Sequence, residues 1–196
     1  MDIIAAAHVD RHALTTTLAN AFRVDPMVNW IVRKDEHKRR GFECFFATGL
    51  RLYLPLGTVT MTADKLGAAV WVPRNKWKIG AIRQLALIPA MITIAGLPRI
   101  GVCADGLAAI EREHPMVPHL YLHHLGVDPS MQGKGYGGRL LHQGLCRADA
   151  ERLPTYLETG NEETLSFYRH FGFEVTKTIT ISAGAPPLWL MWRDAK

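Results

Sequence analysis

The chain has 196 residues, of which 48% are hydrophobic, and carries a net charge of +5. This length and composition predict one domain with a buried core, and three cysteines without metal-ligand spacing argue against a disulfide framework or a zinc site. The scattered basic residues lack the aromatic-basic alternation typical of nucleic-acid binding. No apolar run reaches the roughly 20 residues that span a bilayer, and no signal-peptide pattern is found, so we expect a cytoplasmic protein without nucleic-acid or membrane partners.

The first part of the chain is predicted to hold helices around one strand pair. Apolar residues at helical spacing, the turn residues Asp25 and Pro26, and runs of β-branched residues support this prediction. Asp10 is expected to cap the first helix. The predicted elements are a helix over about 11–23, a helix over about 35–54, strands TVTMT (58–62) and GAAVWVP (67–73), and helical pieces over 76–114 interrupted by Pro89, Gly96 and Pro98.

The second part of the chain alternates strands with helices. Its predicted elements are the strand HLYLHHLGV (119–127), a helix over about 135–152, the strand PTYLE (154–158), a helix over about 162–170, and the strands FEVTKTITI (173–181) and LWLMWR (188–193). Such alternation predicts a mixed α/β sheet with helices on its faces.

Residues 127–138, VDPSMQGKGYGG, place four glycines between a predicted strand and a predicted helix. Glycine is favoured where backbone turns sharply or approaches a ligand closely, and the N–H groups of a helix start bind anions, so the segment is predicted to bind a phosphate. The glycines also spell G-x-G-x-x-G, with Glu158 in the place of a dinucleotide-binding acid. However, five residues separate Val127 from the first glycine, and fewer than 60 residues remain for a second half of that fold.

Taken together, two blocks of sequence indicate a family. The first is Gln132-x-x-Gly135-x-Gly137, and the second is Asn161 seven residues before Tyr168, followed by Gly172-Phe173. Over about 55 residues this pattern resembles the GNAT superfamily of acetyl-CoA-dependent N-acetyltransferases, with looser similarity to its puromycin N-acetyltransferase-like branch. The resemblance implies a single domain over 1–196. Its GNAT fold would have a mixed, mostly antiparallel twisted sheet with helices on both faces and a helical insertion at about 76–114 before the cofactor strand.

The resemblance also implies an acetyl-CoA site without a metal ion. The strand residues Leu125, Gly126 and Val127 would run beside the pantetheine arm, with Gly126 permitting close approach, and Asn161 would meet the cofactor while also capping a helix. The residues implied to wrap the diphosphate are Gln132, Gly133, Lys134, Gly135, Tyr136, Gly137 and Gly138. A solvated Lys134 and a Tyr136 that only packs on its helix are the alternatives.

Three residues are predicted to carry the chemistry. Tyr168 matches the family's tyrosine acid, which protonates the departing thiolate. His123 is a candidate base on the strand beside the thioester, and strand alternation is expected to send its side chain and that of His124 to opposite faces. Glu158 is the alternative group that would hold the ammonium or relay its proton. For each of these residues a purely structural role remains open.

The acceptor is expected to be the primary amine of a small, partly aromatic or hydrophobic molecule such as a natural product. The apolar segment 76–114 is expected either to pack on the sheet as a helical pair or to wall an acceptor pocket together with Asp25 and Trp30, with Asp25 or Glu158 meeting the charge of the amine. It is the resemblance to the puromycin-acetylating branch that implies the small amine. Alternatives are transfer of another acyl group, transfer to a peptide or protein amine, and a non-catalytic acyl-CoA-binding module. The resemblance is also compatible with a homodimer.

Overall fold

The computed structural model describes the backbone of residues 1–196 and every side chain except that of residue 81. Within these residues, seven strands form one sheet in the order β1-β2-β3-β4-β5-β7-β6. The strands are β1 (Ile3–Ala5), β2 (Val59–Thr62), β3 (Gly67–Val72), β4 (Leu120–Val127), β5 (Thr155–Thr159), β6 (Glu174–Ile179) and β7 (Leu188–Arg193). Strands β4 and β5 pair in parallel and the other neighbours are antiparallel, which confirms the predicted mixed, mostly antiparallel sheet.

Helices cover both faces of the sheet, as predicted. The described α-helices are α1 (Arg11–Ala21), α2 (Pro26–Ile31), α3 (Lys38–Tyr53), α4 (Ala81–Ala95), α5 (Ile100–Glu113), α6 (Tyr136–Ala150) and α7 (Leu165–His170). On one face, Leu18 of α1 and Phe46 of α3 belong to a core that includes Val70 of β3. On the other face, Leu141 of α6 and Leu165 of α7 share a second core.

Helix α2 forms where the sequence indicated only a break. Asp25 has extended backbone angles and its Oδ1 accepts the Val28 N–H at 2.8 Å, while Pro26 occupies the first turn. Both residues are favoured in these positions of a helix start. The same turn chemistry that interrupts α1 therefore begins a new helix.

The predicted cap of α1 is wrong. The Asp10 carboxylate makes no side-chain cap to α1 and instead accepts the Ala7 N–H at 2.9 Å. It also lies 2.8 Å from the Lys65 ammonium. Asp10 therefore ties the start of α1 to the turn between β2 and β3.

The segment between β3 and β4 forms the helices α4 and α5. Helix α4 continues through Pro89, so the predicted interruption there is wrong, and the chain turns at Gly96, which has φ +77°. Its apolar residues are strongly exposed at Ile82 (87%) and Leu85 (66%). No single helix in the described chain is long and apolar enough to span a membrane. The segments Ile82–Ala95 and Leu97–Glu113 meet that criterion only as a pair bent by 111°.

Helix α7 is anchored by an ion pair at the end of the sheet. The buried Arg193 guanidinium donates to both carboxylate oxygens of Asp149 on α6, at 2.8 and 2.9 Å, and to the Phe171 carbonyl at 3.0 Å. Its hydrogen bonds lower the pKa of Asp149. The contact at Phe171 fixes the position of the helix that carries Tyr168.

Candidate active site

Strands β4 and β5 pair at only three positions and then separate. Their last pair is Leu122 with Leu157. Beyond it, β4 stays paired with β3 and β5 stays paired with β7. We call the opening between residues 123–127 and 158–159 the β4–β5 fork. Backbone N–H and C=O groups that face such an opening can pair with an extended ligand.

His123 and Glu158 are the first residues of the two strands beyond their last pair. Each follows directly on a member of that pair, His123 on β4 and Glu158 on β5. Their Coulombic interaction opposes part of the pKa lowering that burial imposes on His123. The structure thus brings these two predicted catalytic residues together at the base of the fork.

A β-bulge sits at His123. Val70 of β3 pairs with His124 and the next residue, Trp71, pairs with Leu122, which leaves His123 without a partner. The extra residue shifts the alternation of side chains by one position. The His123 and His124 rings consequently lie 4.1 Å apart on the face covered by α3, so the predicted placement on opposite faces is wrong.

The two histidines have different surroundings on that face. His124 packs among Phe22, Phe45 and Phe46, with ring centroids 5.2 to 5.9 Å from its own, and burial lowers its pKa well below the ordinary value. His123 lies 4.7 Å from the Tyr53 ring, and its buried Nδ1 has no hydrogen-bond partner among the residues described. Burial lowers the pKa of His123 to about 4. Both rings are therefore neutral at pH 7, and of the two only His123 interacts with the Glu158 charge.

The free energy of unfolding is expected to fall as the pH drops from about 6.5 to about 4. The unfolded chain protonates His123 near pH 6.5, whereas the folded chain keeps the ring neutral until about pH 4. This residue alone then removes on the order of 3 kcal/mol of stability across that window. In His123→Phe the loss should shrink by that amount. Urea unfolding at neutral and acid pH measures it, and equal losses in both proteins would contradict the prediction.

Glu158 is the centre of a buried polar network. Its Oε2 accepts the Tyr121 hydroxyl at 2.6 Å, and its Oε1 lies 3.5 Å from Nδ1 of His114. Nε2 of His114 is 3.0 Å from Nε2 of His119, whose Nδ1 lies 2.7 Å from the Val117 carbonyl. Burial and the Glu158 charge raise the pKa of Tyr121, which keeps its hydroxyl protonated as the donor.

His114 is a site residue that the sequence did not reveal. It is the residue after α5 and is buried at 5% exposure, whereas Glu158 is 44 positions further along the chain. The signal in the sequence was a histidine at the end of an apolar helical segment, followed within ten residues by three more histidines at positions 119, 123 and 124. Only the fold brings it to the carboxylate. No cluster of three His, Cys, Asp or Glu side chains suited to a metal ion is found among the described residues.

The glycine loop leads directly into α6. Gly133 and Gly135 have φ of +75° and +81°, and Gly135 is the N-cap of the helix. The first backbone bond of the helix runs from the Arg139 N–H to the Gly135 carbonyl at 3.1 Å. The N–H groups of residues 136–138 therefore belong to the open end of the helix, where N–H groups and the helix dipole favour an anion.

The four loop glycines fall into two pairs that differ in backbone conformation. An added Cβ at Gly133 or Gly135 meets no atom within 4 Å, so their left-handed backbone is what favours glycine there. Gly137 and Gly138 lie inside α6 without positive φ. A Cβ at Gly137 would lie 3.7 Å from Phe167, an ordinary contact, so neither the backbone angles nor the packing at this position requires glycine.

Side chains of the loop bond to the protein itself. The Gln132 amide donates to the Val127 carbonyl at 3.0 Å, and the Lys134 ammonium donates to the Ser130 carbonyl at 2.9 Å. The Tyr136 hydroxyl donates to Asp64 at 2.7 Å, between β2 and β3. These bonds hold the loop in shape, and the N–H groups of residues 136–138 are left to face a ligand.

The remaining cofactor candidates line the two sides of the fork. Leu125 and Val127 are half-buried and pack on the α6 face of β4. At Gly126 an added Cβ would come within 2.7 Å of Leu18, so this glycine allows close approach of α1. On the β5 side, Oδ1 of Asn161 accepts the Glu163 N–H at 3.1 Å, which is the expected helix-cap bond.

Tyr168 on α7 is close enough to Asp25 for the charge of Asp25 to affect its titration. Burial, and then the charge of Asp25, raise the pKa of Tyr168, so its hydroxyl is protonated at neutral pH. Burial raises the pKa of Asp25 as well. Helix α2 reaches this place because Met27 packs on Gly160, where no side chain would fit.

Trp30 does not share the surroundings of Asp25. Its ring lies 5.2 Å from the Arg99 guanidinium, a cation–π contact, and it packs beside Gly106 of α5. The two predicted acceptor residues therefore have different neighbours. Asp25 interacts with Tyr168, whereas Trp30 packs against the helical segment 76–114.

Comparison with known proteins shows to which family this fold belongs. The family model of the acetyltransferase (GNAT) domain matches residues 98–175, which include β4, the glycine loop, α6, β5 and α7. The chain is 32% identical over 111 residues to the N-alpha-acetyltransferase RimI of Mycobacterium tuberculosis, covering 56% of this chain and 69% of that protein.

Solved structures with the same fold cover nearly the whole chain. A protein from Corynebacterium glutamicum described as histone acetyltransferase HPA2 and related acetyltransferase superposes with a TM-score of 0.76 at 22% identity, covering 99% of this chain and 96% of that one. The Drosophila melanogaster polyamine N-acetyltransferase superposes with a TM-score of 0.68 at 17% identity, covering 98% and 100%. None of these relatives indicates the puromycin N-acetyltransferase-like branch. Because the GNAT domain model matches it and the mycobacterial N-alpha-acetyltransferase is similar to it, the chain belongs to the GNAT acetyltransferase family and is an N-acetyltransferase.

Proposed function

We propose that the protein transfers the acetyl group of acetyl-CoA to the primary amine of a small, partly aromatic or hydrophobic molecule. The observation that carries the proposal is the β4–β5 fork, which has the glycine loop and the start of α6 at one end and Glu158 and His123 at its base. Enzymes of this family use acetyl-CoA. In this proposal residues 1–196 act as one domain, with 76–114 as its helical insertion.

The cofactor would lie across the fork. The N–H groups of residues 136–138 and the positive end of α6 would hold the diphosphate, since the helix start has no acceptors of its own for them. The pantetheine arm would pair with the backbone of residues 125–127 in the opening, and Asn161 would contact it from the β5 side. No metal ion is needed in this arrangement.

The reaction would proceed by direct attack of the amine on the thioester. The ammonium form of the acceptor first loses a proton to Glu158, or to His123 as the alternative base, and its nitrogen then attacks the acetyl carbon. As the tetrahedral intermediate collapses, the C–S bond breaks and Tyr168 gives its proton to the thiolate. The second nitrogen proton returns through solvent to the tyrosine, so one proton is released for each amide formed.

The acceptor would lie against the helical insertion. Trp77 stacks on the His114 ring with centroids 4.0 Å apart, so the insertion reaches the network around Glu158. Tyr53 and Tyr121 flank His123 on the same side. An aromatic wall of this kind favours a hydrophobic or aromatic amine, and Asp25 beside Tyr168 would attract its charge.

Initial rates of thiol release distinguish acceptor classes. Small arylalkylamines should be better substrates than basic peptides or peptides with free N-termini, and Trp77→Ala should raise KM for the arylalkylamine about tenfold through loss of the aromatic contact. Ile82→Ala, at an exposed site of the same insertion, is the matched control and should leave KM unchanged. A preference for peptide N-termini would favour the activity named for the mycobacterial relative and reject the small-amine proposal.

A further inference from the structure

The Glu158 carboxyl is buried with one oxygen lacking a hydrogen bond. Oε2 accepts the Tyr121 hydroxyl, whereas Oε1 has no hydrogen-bond partner among the described residues. The nearest basic group is Nδ1 of His114, 3.5 Å from Oε1, and both side chains are nearly inaccessible, at 9% and 3% exposure. A buried carboxylate is costly unless a positive or proton-donating group compensates it.

Hydrogen bonds determine which nitrogen of each histidine carries a proton. A carbonyl oxygen only accepts, so the Val117 carbonyl requires a proton on Nδ1 of His119. The Nε2 atom of a neutral His119 is then an acceptor, which requires His114 to donate from its own Nε2. Nδ1 of His114 is thereby left free to receive a proton, and it is the atom that faces Glu158.

The surroundings of His114 suit a cation. The residue is the C-cap of α5, where backbone carbonyls and the negative end of the helix dipole stabilise a positive charge. Its ring is enclosed by Trp77, Tyr121 and Tyr156, with centroids 4.0 to 4.9 Å away. Of these rings Trp77 is stacked on the imidazole, and an aromatic face at this distance also favours a cation.

Building on the proposed function, we propose that His114 is a positioning residue that acts through Glu158 and stores the proton removed from the acceptor ammonium. The N–H bond of the ammonium breaks and its proton passes to the Glu158 carboxylate. From Oε1 that proton moves to Nδ1 of His114. The step leaves a neutral amine, a Glu158 carboxylate and a His114 imidazolium, which loses its proton to solvent before the next turnover.

Several titratable groups face this pair and belong to the same electrostatic environment. These groups interact electrostatically with Glu158, with His114 or with the tyrosines around them. They are Tyr53 on α3, Arg83 on α4, Glu113 on α5, His119 before β4, Tyr121 and His123 on β4, and Tyr156 on β5. The tyrosine hydroxyls stay protonated because burial raises their pKa values. Burial lowers the pKa values of His119 and His123, so these rings stay neutral. Nδ1 of His114 is the ring nitrogen that lies 3.5 Å from Oε1 of Glu158.

Two amines separate proton storage from a structural role. An arylalkylamine is an ammonium ion at pH 7, whereas an arylamine is already neutral. In His114→Gln we expect kcat for the arylalkylamine to fall roughly 100-fold, the size of a general-base contribution, and to recover as the pH rises. The arylamine should lose less than about threefold, since no proton needs to be stored. His12→Gln, at an exposed histidine, is the control. Equal losses for both amines would overturn the proposal.

Nitrogen-15 NMR of the histidine rings tests the pair without turnover. In the wild type we expect a proton on Nε2 of His114 and on Nδ1 of His119, and the Nδ1 resonance of His114 should shift in Glu158→Gln, where an amide replaces the carboxylate that faces it. The opposite tautomers, or an Nδ1 resonance of His114 indifferent to Glu158→Gln, would overturn the proposal. If the wild type acetylates neither amine while the NMR results hold, the proposed function fails and the proton-sharing pair stands.

Discussion

Tyr168→Phe is expected to lower kcat by roughly 10²- to 10⁴-fold, the contribution of a general acid. The phenol acts only as the thiolate forms, so its loss raises the energy of the transition state and leaves the ground-state complex unchanged. Because burial and Asp25 raise the pKa of Tyr168, the hydroxyl is protonated and ready to donate at neutral pH.

Single-turnover rates and calorimetry measure the two halves of this prediction separately. Acetyl-CoA affinity should stay within about threefold of the wild type, because no binding contact is lost in the ground state. Tyr136→Phe removes a hydroxyl that bonds to Asp64, and any effect of that change should fall on cofactor affinity. If Tyr168→Phe kept its rate of chemistry, water or another group would have to supply the proton.

Gly135→Val is expected to abolish measurable acetyl-CoA binding while the protein stays folded. The left-handed backbone at φ +81° is strained for any β-branched residue, so the loop must change its path at the start of α6. The N–H groups of residues 136–138 would then no longer converge on one anion. Isothermal calorimetry with acetyl-CoA measures the loss, and circular dichroism checks the fold.

The chain offers a matched control for backbone strain. Gly184 has φ +74° and, like Gly135, no atom within 4 Å of an added Cβ, but it lies between β6 and β7. Gly184→Val should therefore cost similar stability without weakening acetyl-CoA binding. Full affinity in a folded Gly135→Val protein would reject the phosphate-binding loop.

The sheet and the glycine loop were predictable because local patterns specify them. Alternating and β-branched runs marked β2, β3, β5 and β7, and glycines beside a helical pattern marked the start of α6 within one residue. Strand β1 was missed because its three residues are too few to show alternation. Helix α2 was missed because Asp-Pro marks both a break and a helix start.

The interior of the candidate site could not be predicted from the sequence, because it is formed by contacts between residues that are distant along the chain. HLYLHHLGV gives no sign of a bulge, since a bulge is a mismatch with a partner strand and not a property of one strand. The approach of His114 to Glu158 needs both the end of α5 and the β4–β5 pairing. Tyr168 and Asp25 are 143 positions apart, and no local pattern predicts that the charge of Asp25 raises the pKa of Tyr168.

The bulge at His123 divides β4 into two independently adjustable halves. Residues 120–122 and 124–127 pair with β3 in registers that differ by one residue. A substitution before the bulge can therefore reshape the side that carries Tyr121 without moving the backbone that leads into the glycine loop. A designer who wishes to change the accepted amine should alter residues 120–122 and the insertion, and should keep the length of 122–124 fixed. Deleting one of the two histidines there would restore simple alternation and leave the other histidine on the face covered by α3.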